Sequence, residues 1–300
     1  MMFDFETWRS HQLERVEAAL DGFIDAHSPA DLGVAMRYGV LNGGKRLRAL
    51  LVLAASQAVH GNADAALRAA CAVEMIHAYS LIHDDMPCMD NDVLRRGKPT
   101  VHVAYGEAQA LLAGDALQAL AFEILTPHDS NIPGDVQANL CRLLARASGL
   151  AGMAGGQAID LASVGKHLSE AELRRMHELK TGALLKASVE MGAACQGCWT
   201  GASQASWLSS LAGYGLAVGL AFQVVDDILD VTADEAILGK TAGKDAAQNK
   251  PTYVALMGLA TAEKYANDLL EKALLSLDES GLENHAALRE LAIRLVRRQS

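Results

Sequence analysis

Residues 84–92, Asp-Asp-Met-Pro-Cys-Met-Asp-Asn-Asp, place the hardest condition on how this chain can fold. They set four carboxylates within nine positions, directly after the apolar, helix-compatible stretch 72–82, and Arg95-Arg96-Gly97-Lys98 follows at once. A second cluster, Asp226-Asp227-Ile228-Leu229-Asp230, ends another apolar segment, 207–231. An ionised carboxylate in apolar surroundings costs several kcal/mol unless it is paired or metal-bound. Protein cations cannot satisfy all of these groups, so the clusters point to divalent cations. Magnesium suits them, because it takes oxygen ligands, keeps waters and bridges carboxylates to phosphate oxygens. Lys45, Arg48, Arg95, Arg96, Lys180 and Lys240 offer the remaining countercharge, which makes a diphosphate the expected polyanion.

The rest of the chain reads as helices. It has 300 residues, about half hydrophobic, only six prolines, and no spaced series of short β-branched runs. These features predict an all-α fold, and the lack of a linker or repeat predicts a single domain over residues 1–300. Residues 3–26 form an amphipathic helix with Leu13, Val16, Ala19, Leu20 and Phe23 on one side. Ser28-Pro29 marks the next helix start. Further helices are expected over 49–59, 62–85, 101–125, 133–148, 152–161, 207–231, 262–277 and 284–297. Pro87 should end or kink the helix over 62–85. Ser169 with Glu172 makes a capping box that opens the helix carrying Lys180-Thr181 and Lys186.

Composition excludes several functions. The formal net charge of −10 argues against a nucleic-acid binder, which needs a basic face. No basic n-region with an apolar core opens the chain, and no uninterrupted apolar run reaches membrane-spanning length. Five cysteines without an export signal suggest reduced thiols and a cytoplasmic location. Cys195 and Cys198 form a lone pair with no second pair and no βαβ pattern, so they read as structural.

Several smaller features bear on the site. Gly43-Gly44 breaks a helix and frees backbone N–H groups just before Lys45, Arg46 and Arg48, which makes either an anion cradle or a solvated basic turn. His77 and Asp84 lie two turns apart on one helix face, with Ser80 between them. Gln223 precedes Asp226 by one turn, and Asp226 and Asp230 share a face. Glu74-Met75-Ile76-His77 matches half of a di-iron bundle motif, but no second copy exists.

Taken in order, Gly43-Gly44-Lys45-Arg46-Leu47-Arg48, Asp84-Asp85-(four)-Asp90, Arg95-Arg96-Gly97-Lys98-Pro99-Thr100, Lys180-Thr181, Phe222-Gln223 and Asp226-Asp227-Ile228-Leu229-Asp230 resemble the trans-isoprenyl diphosphate synthases, and within them the bacterial farnesyl diphosphate synthase branch. The likeness runs from about Phe23 to the C-terminus. Ala49 stands where the family usually has proline. The resemblance implies a bundle of long helices around a central cavity, a homodimer, and three Mg2+ ions per site with the allylic substrate bound. It implies that Asp84, Asp85, Asp90, Asp226, Asp227 and Asp230 are metal ligands. Arg95, Lys180, Thr181, Gln223 and Lys240 would serve the allylic diphosphate, and Gly44, Lys45, Arg48, His77, Arg96 and Lys250 belong to the expected substrate-binding set, with Lys45, Arg48, His77 and Arg96 on isopentenyl diphosphate.

The reaction so implied joins isopentenyl diphosphate to dimethylallyl and geranyl diphosphate by ionisation, condensation and proton loss. Tyr79, with Ser80 beside it, sits in the position that sets chain length, and its ring would floor the pocket of a fifteen-carbon product. The alternatives are a geranylgeranyl or longer-chain synthase, a terpene cyclase, which would not need the Lys45/Arg48/His77 site, and a silent partner subunit, which would be expected to lose one acidic cluster.

Overall fold

Asp4 opens the first helix, α1 (Phe5–Phe23), by accepting the Glu6 and Thr7 backbone N–H groups at 3.1 and 3.3 Å. In this computed structural model, residues 3–128, 130–166, 168–197, 202–232 and 252–297 are described, side chains 202–206 excepted. The buried stripe of α1 is Phe5, Trp8, Gln12, Val16 and Leu20, so the expected Leu13, Ala19 and Phe23 flank it rather than centre it. After Ser28-Pro29 a single 3₁₀ turn intervenes, with Ala30 and Asp31 left-handed at φ 52° and 58°, before α2 (Leu32–Val40). The Ser28 hydroxyl accepts the Gly33 N–H across this kink.

The centre is built from α3 (Leu47–Ala58) and α4 (Ala63–Asp84), which pack on each other and on α10 (Ala183–Ala194). Asn62 caps α4 by accepting from Asp64 and Ala65. Helix α3 serves two apolar cores at once. Ala49, Val52 and Leu53 join α4 and its neighbours, whereas Leu50, Leu51, Ala54 and Ala55 face the C-terminal helices. Those are α11 (Ala202–Thr232), α12 (Tyr253–Met257), α13 (Leu259–Glu279) and α14 (Ala286–Val296).

The expected long helix over 101–125 is two, α5 (Val101–Tyr105) and α6 (Glu107–Glu123). Gly106, at φ 88° and ψ 157°, ends one and starts the other, a backbone state that costs a side-chain-bearing residue far more. Helix α7 (Gly134–Ser148), α8 (Met153–Ser163) and α9 (Glu170–His177) complete the set, and the capping box at Ser169 and Glu172 forms as expected.

The only strands among the described residues are β1 (Leu94–Arg95) and β2 (Lys98–Pro99), an antiparallel pair. Arg96 and Gly97 turn it with positive φ at both, the geometry that suits a two-residue hairpin. Helix α4 and residues 207–232 of α11 are long and apolar enough to cross a bilayer, which the sequence reading had not anticipated. Their apolar windows are, however, 67% and 56% buried within the fold, where they form its core.

Candidate active site

Helix α4 ends at Asp84, and the chain then folds straight back. The Asp90 N–H donates to the Asp84 carbonyl at 2.8 Å, and the Asp92 N–H to the Asp85 carbonyl at 3.1 Å. The four residues between Asp85 and Asp90 thereby make a compact turn that returns Asp90 to Asp84. Burial, with Asp90 and Asp85 adding to it, pushes the Asp84 carboxyl up to about 6 against the pull of Lys180 and Arg95. Such a carboxylate is stabilised by a further cation. Asp85 is only 2% exposed and already has one, since its oxygens accept from Arg95 Nε at 2.8 and 3.0 Å and from Nη2 at 2.6 Å. The expected ligand role of Asp85 therefore competes with a bidentate ion pair that aims Arg95 from the hairpin.

The second bank is reached through residues 178–182. Here α9 passes into a π-helical turn, Glu178–Gly182, before α10 begins. A π turn widens the helix and is often found at functional sites. Lys180 and Thr181 lie in it. Lys180 Nζ is 2.5 Å from Asp160 Oδ2 of α8. Burial works against its charge, but Asp160, and then Asp84 and Asp90, outweigh that and raise its pKa. Next to it, the Thr181 hydroxyl donates to Gln223 Oε1 at 3.2 Å, and Gln223 Nε2 donates to Asp227 Oδ1 at 2.9 Å. The Tyr253 N–H donates to Asp227 Oδ2 at 2.8 Å. The π turn thus places Lys180 in the electrostatic field of Asp84 and Asp90 and links Thr181 to Asp227 through Gln223. Asp226 is half-buried, while Asp227 and Asp230 are buried.

A cationic pocket forms beside the first bank. The hairpin folds over the 42–44 turn, with Arg96 Nη1 donating to the Gly43 carbonyl and Lys98 Nζ to Asn42 Oδ1 at 2.9 Å. His77 lies within the field of this group. Burial first, then Arg48, Arg96, Arg95 and Arg46, hold its imidazole well below its usual range. Two positively charged stretches distant in sequence, 46–48 and 95–96, therefore act on one histidine. That arrangement favours an anion.

The polyprenyl synthetase family profile matches residues 30–291. The chain belongs to the polyprenyl synthetase family. It is 49% identical over 267 residues to the farnesyl diphosphate synthase of Escherichia coli, covering 88% of each chain. It is 46% identical over 285 residues to geranylgeranyl pyrophosphate synthase 9 of Arabidopsis thaliana, covering 93% of this chain and 78% of the relative. Among solved structures, the Helicobacter pylori geranyltransferase complexed with magnesium and isoprenyl diphosphate superposes with a TM-score of 0.83 at 36% identity, over 99% of this chain and 97% of that one.

Within this polyprenyl synthetase, Asp84, Asp85, Asp90, Arg95 and Lys180 lie within one another's electrostatic reach, and several other expected residues have partners of their own. Arg46 is turned inward onto Glu17 and Glu74 and does not join the cradle. The Ser80 hydroxyl donates to the His77 carbonyl at 2.8 Å, an intrahelical bond. Tyr79 is half-buried and meets His83 edge-on at 5.6 Å. The Glu74 of the rejected di-iron motif is committed to Arg46. Cys195 is buried with its thiol pushed up to about 12 by burial, as a structural residue would be. Lys240, Lys250 and Cys198 lie outside the described residues.

Asp160 was not anticipated. The rule that singled out Asp84, a carboxylate inside an apolar helix, applies equally to it. Gly156, one turn earlier, lets α8 approach, since a Cβ there would stand 2.1 Å from the Lys180 backbone nitrogen. His177 was missed as well. It is buried, stacked on Tyr253 at 5.5 Å, and held down to about 4 by burial against the opposing pull of Asp160. Because its folded pKa is depressed, it contributes stability above its unfolded value near 6.5, and that stability is lost as pH falls through about 4. His177→Phe keeps the ring stack and should flatten the pH dependence of unfolding between about 6.5 and 4, measured by denaturant titration at several pH values. A slope identical to the parent's would remove His177 from the account.

Proposed function

We propose that the chain is a farnesyl diphosphate synthase, a prenyltransferase that joins isopentenyl diphosphate to dimethylallyl and then to geranyl diphosphate. One observation carries the reading: in one π turn, Lys180 lies in the field of Asp84 and Asp90 while Thr181 reaches Asp227 through Gln223. A diphosphate beside that turn would have acidic banks on two sides and cations between.

The donor set suits magnesium. Among the described residues no three acidic, His or Cys side chains converge as a ready-made cage. Magnesium is usually held by one or two carboxylates together with phosphate oxygens and water, and the raised Asp84 carboxyl marks a place where positive charge is wanted. Asp84 and Asp90 on one side, and Asp226 and Asp230 on the other, would hold the ions, three per site, with Asp85 and Asp227 anchoring Arg95 and Gln223. When bound, magnesium supplies Lewis-acid stabilisation of the departing diphosphate.

The chain's own residues do the rest. Arg95 and Lys180 neutralise the allylic diphosphate as its C–O bond breaks and the electron pair goes to the leaving group. Lys45, Arg48, His77 and Arg96 hold isopentenyl diphosphate so that its double bond faces the allylic carbon and supplies the electrons of the new C–C bond. A proton then leaves to the released diphosphate. No side-chain nucleophile is required. Lys240 and Lys250 complete the cation set in this reading.

The chain is read as one catalytic domain over residues 1–300, acting as a homodimer in the cytoplasm. Exposed Leu111 and Leu112 of α6 and Val103 of α5 offer apolar area for self-association, and Cys71, Cys88, Cys141 and Cys195 are free thiols. The test is purified protein with magnesium, dimethylallyl diphosphate and isopentenyl diphosphate, followed by mass analysis. A fifteen-carbon diphosphate is expected. A twenty-carbon product would assign the chain to the longer-chain synthases, and no condensation would refute the activity. Tyr79→Ala should lengthen the product in the same assay, because the ring braced on His83 is removed. An unchanged profile would discard Tyr79 as the floor.

A further inference from the structure

Arg46 stands between Lys45 and Arg48, yet its guanidinium is buried and turned away from the cationic pocket. It is 5% exposed, and its backbone is left-handed at φ 47°, a sparsely populated state for a residue with a side chain. Three elements hold it. Its Nε donates to Glu17 Oε1 of α1 at 2.7 Å, its Nη1 to Glu74 Oε2 of α4 at 3.3 Å, and its Nη2 to the Val40 carbonyl at the end of α2 at 2.7 Å. The other Glu74 oxygen accepts the Ala49 N–H of α3 at 3.1 Å and so satisfies a first-turn donor of that helix. Glu74 lies one turn before His77 on α4.

We propose that Arg46 is a positioning residue for the isopentenyl diphosphate half of the site: its clamp on Glu74 ties the turn bearing Lys45 and Arg48 to the turn of α4 bearing His77. The proposal rests on the functional reading above. The clamp fixes the distance between two helices whose cations must meet one diphosphate. Glu17 and Glu74 also neutralise Arg46 and hold it out of the pocket, leaving the ligand to its neighbours. Arginine suits the position because its fork reaches three acceptors at once, which a lysine ammonium on a single stem cannot do at the same spacing.

The test is calorimetric titration of the full chain with isopentenyl diphosphate alone, paired with steady-state KM for each substrate and thermal melting. Arg46→Met should weaken isopentenyl diphosphate at least about tenfold, the scale expected when binding groups are displaced by an ångström or less. KM for dimethylallyl diphosphate should stay within about threefold, since Lys180 and the aspartates do not depend on the clamp. Arg46→Lys, which keeps the charge, should fall between parent and Arg46→Met.

Arg46→Met with Glu74→Gln removes both buried charges while the amide oxygen still accepts from Ala49. This pair should regain melting temperature lost by Arg46→Met but not the isopentenyl diphosphate affinity. If affinity returns together with stability, or if both KM values rise equally, Arg46 only supports the fold and the proposal is overturned. Parent-like isopentenyl diphosphate binding in Arg46→Met and Arg46→Lys overturns it too. A parent protein that fails to bind isopentenyl diphosphate at all would instead sink the functional reading, and the proposal with it.

Discussion

Asp84→Ala is expected to lower turnover by about 10³-fold or more, and Asp226→Ala by a comparable factor, because each change removes a ligand that stabilises charge developing on the leaving diphosphate. The two residues lie on different helices, one at the end of α4 and one late in α11, so a shared defect in folding would be a poor explanation for a shared loss. Stability separates the cases further. Burial raises the Asp84 carboxyl to about 6, which means the fold disfavours its ionised form. Removing that carboxylate in the metal-free protein should leave the melting temperature unchanged or slightly higher. A variant that is both stable and nearly inactive would locate Asp84 in the chemistry. Near-normal kcat in Asp84→Ala and Asp226→Ala would refute the two-bank site.

Withdrawing magnesium is expected to abolish turnover while leaving the fold intact. The metal-free site is already partly neutralised by protein: Asp85 by Arg95, the neighbouring Asp160 by Lys180, and Asp227 by hydrogen bonds from Gln223 and Tyr253. Chelation should therefore leave the helical circular dichroism signal and melting curve in place, and added magnesium should restore activity. The pH dependence has a definite sign. A proton and a cation compete for Asp84, so the magnesium concentration for half-maximal rate should rise as pH falls below about 6 and be flat well above it. Cation binding should release protons near pH 6, detectable by calorimetry in buffers of different ionisation heat. Activity that survives exhaustive chelation would contradict the proposed mechanism.

Much of this site could be read without coordinates. The aspartate clusters stood out because charge inside an apolar helix is locally improbable, and that is a property of neighbouring residues. The helix starts at Asn62 and Ser169 were equally local, resting on side chains within three positions of the backbone groups they satisfy. Failures came where a distant partner decided the outcome. Arg46 looks like Lys45 and Arg48 in sequence, but only Arg46 has Glu17 and Glu74 waiting for it. Asp85 looks like Asp84, yet the hairpin returns Arg95 to Asp85. The helix expected to carry Lys180 and Thr181 without interruption has a π turn there, which no periodicity announces.

The sequence by itself determined the helical class, the two acidic helix ends and the cations that had to accompany them, because hydrophobic period and charge density are set by residues adjacent along the chain. Only the tertiary structure decided which carboxylates are spent on arginine, which cation turns inward, and that Lys180 pairs with Asp160 while Thr181 reaches Asp227 through Gln223. Those outcomes depend on pairing across long separations in the chain. There, the cost of burying a charge is settled by whichever partner the packing of helices brings within reach.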